Sequence, residues 1–375
     1  MSWARWADEQ LAAVRAAGRW REPRDFDALG PAGRLQGHAG DVVSFASNDY
    51  LGLTAHPAVR QAAADALDRW GAGSGSARLI VGSRPVHREL EVELADWKGT
   101  EEAVVFPTGF SANLGVLGVV GGPGVTICSD ELNHASIIDG CRLARAEVAV
   151  YRHADVDDLE RLMAQAPGPV VVVTDTVFSM DGDVAPLAEI GPRCAARDAL
   201  LVVDEAHAVL GPELPAVAGL EVLRVGTLSK TLGALGGFVA GPAALCRLVV
   251  NRARPYVFTT APTPADAAAA RAALEVLRSG PGAALVARLR AHVDRLAPGH
   301  RSPIVPVIVG HEDAALRAAA ALLERGLLVP AIRPPTVAPG TSRLRITLSA
   351  AHTDDQVGAL VDALAELGLG VGAPA

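Results

Sequence analysis

An apolar run over residues 200–203 ends in Asp204, Glu205, Ala206 and His207, and a second short run leads to Gly226, Thr227, Leu228, Ser229 and Lys230. A carboxylate and an imidazole therefore close one hydrophobic strand, and a lysine stands on a small-residue loop after the next. Taken singly, a strand-ending acid is often a turn cap and a lone histidine a structural residue. The three together point to chemistry. A lysine inside an α/β core is unfavourable unless it is paired or neutralised, and imine formation neutralises it. An acid beside a ring nitrogen keeps that nitrogen protonated, and small residues let backbone approach a phosphate. Lys230, Asp204 and the loop at Thr227 thus meet the requirements for holding pyridoxal phosphate.

Other residues carry less specific signals. Gly109, where 106–113 turns from strand to helix, lets N–H groups close on an anion at the helix N-terminus, although an ordinary strand–helix turn reads the same way. His134 follows another apolar run, placed either to stack on an aromatic cofactor or to cap the next helix. The acidic residues of 174–186 match no calcium loop, so no metal is expected. Arg343 and Arg345 alternate along a strand and face opposite sides. One is expected to clamp a carboxylate in bidentate fashion and the other to meet solvent.

Two nucleotide-binding readings fail on spacing. Residues 203–207 look like the magnesium-binding strand of a P-loop ATPase, but the chain has no G-x-x-x-x-G-K-[ST] segment. Gly71, Gly73 and Gly75 suggest a dinucleotide fingerprint, yet they follow a helical pattern, and Ser76 takes the place of the third glycine.

These residues must be held by elements whose pattern is legible. Apolar runs at 103–106, 125–128, 148–151, 170–174, 200–203, 223–225 and 237–240 are expected strands, mostly separated by helices or turns. Continuous apolar strands alternating with helices imply a mostly parallel sheet covered on both faces, an α/β fold, with ligands at the carboxyl ends of the strands. Helices are expected over 3–21, 56–70 and 86–97, with a short strand at 42–45. Residues 263–277 form a long alanine-rich helix running on towards 296 with a break at Gly280, Pro281 and Gly282. A smaller α/β unit follows, with strands at 304–309, 327–332 and 343–348 and helices at 312–325 and 353–367. Thr353 and Gln356 have capping-box spacing. The expected division is an N-terminal helix or arm over 1–40, a large cofactor-binding domain over 41–262, and a linking helix with a small domain over 263–375.

Composition narrows the class. The chain has 375 residues, half of them hydrophobic and a fifth charged, with a formal net charge of −8. That suits a compact protein and offers no basic stripe for nucleic acid or an anionic membrane. Cys128, Cys141, Cys194 and Cys246 are widely spaced, so neither a disulfide framework nor a zinc site is expected. The first residues lack the apolar stretch of a signal peptide, and no run is long enough to span a membrane. A cytoplasmic location is expected.

In this order the segments resemble the α-oxoamine synthases, a branch of the fold-type I pyridoxal-phosphate enzymes. The resemblance rests on Ser47-Asn48-Asp49-Tyr50-Leu51-Gly52-Leu53, Gly109-Phe110-Ser111-Ala112-Asn113 and His134-Ala135-Ser136. It continues in Val177-Phe178-Ser179-Met180-Asp181-Gly182, Asp204-Glu205-Ala206-His207, Thr227-Leu228-Ser229-Lys230, and Ile332-Arg333-Pro334-Pro335-Thr336-Val337 with Arg343-Leu344-Arg345. It implies that Lys230 carries the cofactor as a Schiff base, that Asp204 pairs with the pyridine nitrogen, and that His207 and Ser179 contact the ring. His134 would stack on the ring, Gly109, Phe110 and Thr227 would surround the phosphate, and Arg345 would hold the amino-acid carboxylate. Arg21 and Thr336 would line the substrate site. The implied assembly is a homodimer with the site at the interface, Thr260 reaching the partner's phosphate.

The implied activity is decarboxylative condensation of L-alanine with pimeloyl-CoA, or with a pimeloyl carrier protein, in biotin biosynthesis, releasing CoA and CO2. The catalytic set would be Lys230, His134, Asp204 and His207. A glycine C-acetyltransferase or a 5-aminolevulinate synthase is the alternative within the family. A non-catalytic binding protein of this fold would need an attached DNA-binding domain, for which the short N-terminal helix leaves no room. Many relatives carry Gly-Thr-Gly where this chain has Ala208-Val209-Leu210-Gly211, and 211–223 is short, so the loop over the cofactor is expected to differ.

Overall fold

A computed structural model describes residues 2–371. The apolar runs form one seven-stranded sheet in the order Glu102–Phe106, Gly237–Gly241, Val222–Thr227, Leu200–Asp204, Val170–Asp175, Thr126–Asp130 and Glu147–Tyr151. Gly237–Gly241 runs antiparallel to both neighbours, and the remaining pairings are parallel. Every residue of Val170–Asp175 is buried, as a strand covered on both faces requires. One face packs against the helices Gly109–Val120, Ala135–Leu143 and Ala243–Arg252, and the other against Val156–Gln165 and Leu187–Ala196.

Parallel pairing brings the carboxyl ends of Thr126–Asp130, Val170–Asp175, Leu200–Asp204 and Val222–Thr227 to one edge. Register then decides which side chains meet. Asp175 lies directly opposite Asp204, placing two carboxylates side by side at that edge.

The later chain starts with Pro264–Leu277 and Gly280–Leu296, two helices separated where Ser279 caps the second and Pro281 occupies its first turn. An antiparallel sheet of Ile304–Gly310, Ser342–Thr347 and Ala331–Ile332 follows, with the helices Glu312–Glu324 and Asp354–Glu366. The Thr353–Gln356 capping box is present.

The run 327–332, expected as one strand, is two. Leu327–Leu328 pairs in parallel with Asp41–Ser44, whereas Ala331–Ile332 joins Ser342–Thr347. Pro330 lies between them, and a residue without an N–H breaks a continuous ladder. The first pairing ties an N-terminal sheet, Phe26–Asp27, Ala32–Leu35 and Asp41–Ser44, to the C-terminal third of the chain. The first helix is also shorter than its pattern suggests. Trp3–Ala16 ends just before Gly18, which adopts a left-handed conformation with φ of 65°.

Candidate active site

At the carboxyl edge a cavity of about 250 Å³ is lined by Gly109, Asn113, His134, Asp175, Asp204 and Lys230, among others. Asp204 is fixed at both oxygens. Its Oδ1 accepts the Ala206 N–H at 2.9 Å, and its Oδ2 accepts Asn113 Nδ2 at 2.7 Å. Asn113 also donates to Ser136 Oγ at 2.9 Å, while its own Oδ1 is buried without a partner.

Lys230 Nζ lies 2.8 Å from His207 Nε2, and His207 Nδ1 meets the Tyr50 hydroxyl. Burial, reinforced by the charges of Lys230, Arg345 and His134, holds the His207 imidazole well below its ordinary pKa, so the ring is neutral. A protonated Lys230 can only donate, so Nε2 accepts and the ring proton sits on Nδ1, facing Tyr50. Tyr50 in turn donates to Asn48 Oδ1 at 3.3 Å. Burial lowers the Lys230 pKa as well. Asp204 and Asp175 oppose that shift, and Arg345 adds to it.

Two like charges on register neighbours are unfavourable in a buried edge. It is Asp175 whose pKa rises well above the usual carboxylate range, through burial first and the neighbouring Asp204 second. Its Oδ2 accepts the His134 N–H at 2.7 Å, which sets that turn. The His134 ring pairs through Nδ1 with Ser136 Oγ at 2.7 Å and stands edge-on to Phe110. Burial lowers its pKa too.

The other end of the cavity is backbone. Thr108 caps the helix Gly109–Val120, accepting the Ser111 N–H at 3.0 Å, and the helix starts at the cavity wall. A Cβ on Gly237 would sit 2.5 Å from Gly109 N, so only glycine lets that strand pass so close. Thr227 Oγ1 meets Ser229 Oγ at 2.7 Å and donates to Gly236 O at 3.0 Å, shaping the loop before Lys230.

Arg345 is buried beside this group. Its Nε donates to Ser179 O at 2.5 Å, one terminal nitrogen to Thr347 Oγ1 at 2.8 Å and the other to Asn48 Oδ1 at 3.2 Å. Ser179 thus contributes its carbonyl to Arg345. Arg343, expected to meet solvent, does not. It is equally buried and pairs with Asp181, because both faces of Ser342–Thr347 are covered. Alternation predicts which way a side chain points, not what lies there.

The structure brings together Lys230, Asp204, His207, His134, Gly109, Phe110 and Thr227 around the cavity, with Arg345 close enough for its charge to act on Lys230 and His207. Arg21, Thr336 and Thr260 are exposed and do not line it. Arg333 donates to Gly18 O at 3.0 Å, drawing the Arg21 and Thr336 segments towards each other. Residues 208–214 line a separate cavity with Lys98, Glu205 and Arg224. Tyr50, Asn113 and Asp175 also belong to the site, and no role for them is expected from the sequence. Asp175 had a signal, since it ends an apolar strand as Asp204 does.

A family model described as aminotransferase class I and II matches residues 40–364. The 8-amino-7-oxononanoate synthase of Anaeromyxobacter dehalogenans (strain 2CP-1 / ATCC BAA-258) is 50% identical over 378 residues, covering 96% of this chain and 94% of that protein. The enzyme of the same name from Alkalilimnicola ehrlichii is 46% identical, covering 97% and 98%. Among solved structures, a serine palmitoyltransferase variant from S. paucimobilis with a bound PLP–myriocin aldimine superposes with a TM-score of 0.89 at 30% identity, covering 98% of this chain and 100% of that one. An 8-amino-7-oxononanoate synthase from Francisella tularensis gives 0.71 at 26% identity, covering 87% and 98%.

Proposed function

The chain belongs to the aminotransferase class I and II family, and from that premise we propose that it is a pyridoxal-phosphate-dependent acyltransferase of biotin biosynthesis, joining L-alanine to a pimeloyl thioester. The products are 8-amino-7-oxononanoate, CO2 and CoA, or the carrier protein where that delivers the acyl group. The observation that carries the chemistry is Lys230 Nζ, 2.8 Å from a neutral His207, in one cavity with the anchored Asp204. The substrate pair is supported by near-full-length relatives named for this product.

The residues present fit the cofactor. Asp204 suits a protonated ring nitrogen, and the start of the helix at Gly109 suits a phosphate. Lys230 would hold the cofactor through its amine, Asp204 at the nitrogen, and Gly109, Phe110 and Thr227 at the phosphate, with His134, His207 and Ser179 beside the ring. When bound, the cofactor supplies an electron sink for the amino-acid Cα.

The chain's own groups then have distinct tasks. Lys230 Nζ, with its pKa lowered by burial, takes and returns the Cα proton. His207 accepts from that amine and passes the contact to Tyr50, keeping Nζ aimed into the cavity. Asp204, held by Asn113 and the Ala206 N–H, keeps one orientation. Arg345 presents a guanidinium to the amino-acid carboxylate. His134 and Phe110, edge-on to each other, line the same cavity.

The division at 40 and 262 and a cytoplasmic homodimer belong to the same proposal. The dimer is supported by the exposure of Thr260, which lies outside its own cavity, together with exposed Phe258 and Ile80. Among the described residues no helix is long and apolar enough to cross a membrane.

The test offers alanine, glycine and serine with a panel of acyl-CoAs and follows free thiol. Alanine with pimeloyl-CoA should release thiol fastest, with one CO2 per thiol. Release with glycine alone would overturn the substrate pair and favour the glycine-using alternatives.

A further inference from the structure

One partly buried charged cluster takes no part in the chemistry above. His153 Nδ1 lies 3.0 Å from Asp130 Oδ1, and its Nε2 lies 2.7 Å from Asp183 Oδ2. Its ring stands edge-on to Phe178, 4.4 Å between centroids. Carboxylates only accept, so a ring facing one at each nitrogen carries both protons and a positive charge. Burial alone would lower its pKa, but the two hydrogen bonds and the two negative charges raise it to about 10.

Each carboxylate belongs to a turn that serves the cavity. Asp130 ends Thr126–Asp130, and it also accepts the N–H groups of Leu132 and Ala154, both at 2.9 Å. The turn it shapes delivers His134. Asp183 closes the turn 178–183, in which the Phe178 N–H meets Asp183 O at 3.0 Å and the Gly182 N–H meets Phe178 O at 2.8 Å. That turn supplies Ser179 O to Arg345 and Asp181 to Arg343. The remaining oxygen of Asp183 is buried without a partner, so His153 is what holds this carboxylate.

The turn packs closely against the strand Ile304–Gly310. At Gly182, with φ of 69°, a Cβ would fall 2.0 Å from Ile304 O and 2.4 Å from Ser302 Oγ. The turn is wedged between the large sheet and the strands that carry Arg345.

We propose that His153 is a positioning residue, joining the His134 turn to the 178–183 turn and so holding Arg345 in register with Lys230 for the amino-acid carboxylate. This rests on the reading of Arg345 as the group that binds that carboxylate.

The test compares His153→Gln, Asp183→Asn and Arg345→Lys holoenzymes with the parent in steady-state kinetics, and maps amide hydrogen exchange. His153→Gln and Asp183→Asn should each raise the KM for alanine about tenfold, with kcat and the KM for the acyl thioester within about threefold. Exchange should quicken in 178–183 and 131–134 and stay unchanged elsewhere in the sheet. If Arg345→Lys raises the alanine KM and both other variants leave it unchanged, the positioning role is wrong. If Arg345→Lys itself leaves it unchanged, the underlying reading of Arg345 fails instead. Equal rises in both KM values would show general loosening and also overturn the proposal. Should His153→Gln fail to fold, Asp183→Asn decides on the same criteria.

Discussion

His207 and His153 each sit a few residues beyond the carboxyl end of a strand of the same sheet, yet their protonation is opposite. His207 faces Lys230, Arg345 and a tyrosine hydroxyl, and is held neutral. His153 faces Asp130 and Asp183, and is held charged. Burial pushes both in the same direction, so the partners decide. A neutral ring can accept from a lysine that must give up and regain a proton. A charged ring between two acids is suited to holding turns in place. One fold thus uses the same side chain near chemistry and near a joint.

The largest break in this contrast is Lys230→Ala. Turnover should fall by at least the order of 10²–10⁴-fold expected of a general base, and the cofactor's visible absorbance at the lysine should vanish. Without the amine's charge, the NMR titration of His207 should move upward while that of His153 stays in place. Steady-state turnover that survives the substitution would overturn the assignment of Lys230.

Arg345→Lys is milder. A point charge replaces a planar fork, and the alanine KM should rise roughly 10–100-fold, with a smaller effect on kcat.

The smallest effect separates the two histidines by pH. His153 has a folded pKa raised from 6.5 to about 10, so its contribution to stability is full below 6.5 and is lost as pH rises towards 10. His207 has a depressed folded pKa, so its contribution is present above 6.5 and is lost as pH falls below that value. Thermal melts should therefore drop by a few degrees on both sides. The alkaline arm should flatten in His153→Gln. For a chain of this size, each kcal/mol moves Tm by roughly 1–2 °C. An alkaline arm identical in parent and variant would remove His153 as its source.

Much of this frame was readable in advance. The buried core strands announced themselves because a strand covered on both faces reads as an apolar run, as residues 170–173 do in Val170–Asp175. Asp204, His207 and Lys230 stood out because polar residues at the ends of such runs are conspicuous. Pattern failed where a neighbour intervened. Pro330 split an apparently continuous strand between two sheets, and Gly18 stopped a helix whose periodicity ran further. Arg343 is buried against the turn that carries Asp181, and alternation carries no information about such a cover.

Taken alone, the sequence settled the α/β class, the order of the elements and the reactive residue types, since these depend on apolar runs and on chemistry within a few positions. Tertiary structure decided which groups touch. Tyr50 meets His207 across 157 positions, Asn113 meets Asp204 across 91, and Arg345 meets Ser179 across 166. Asp175 faces Asp204 only because two parallel strands share one register. Such contacts arise from strand order and packing, which no local pattern encodes, and they determine which imidazole is charged and which amine is free to react.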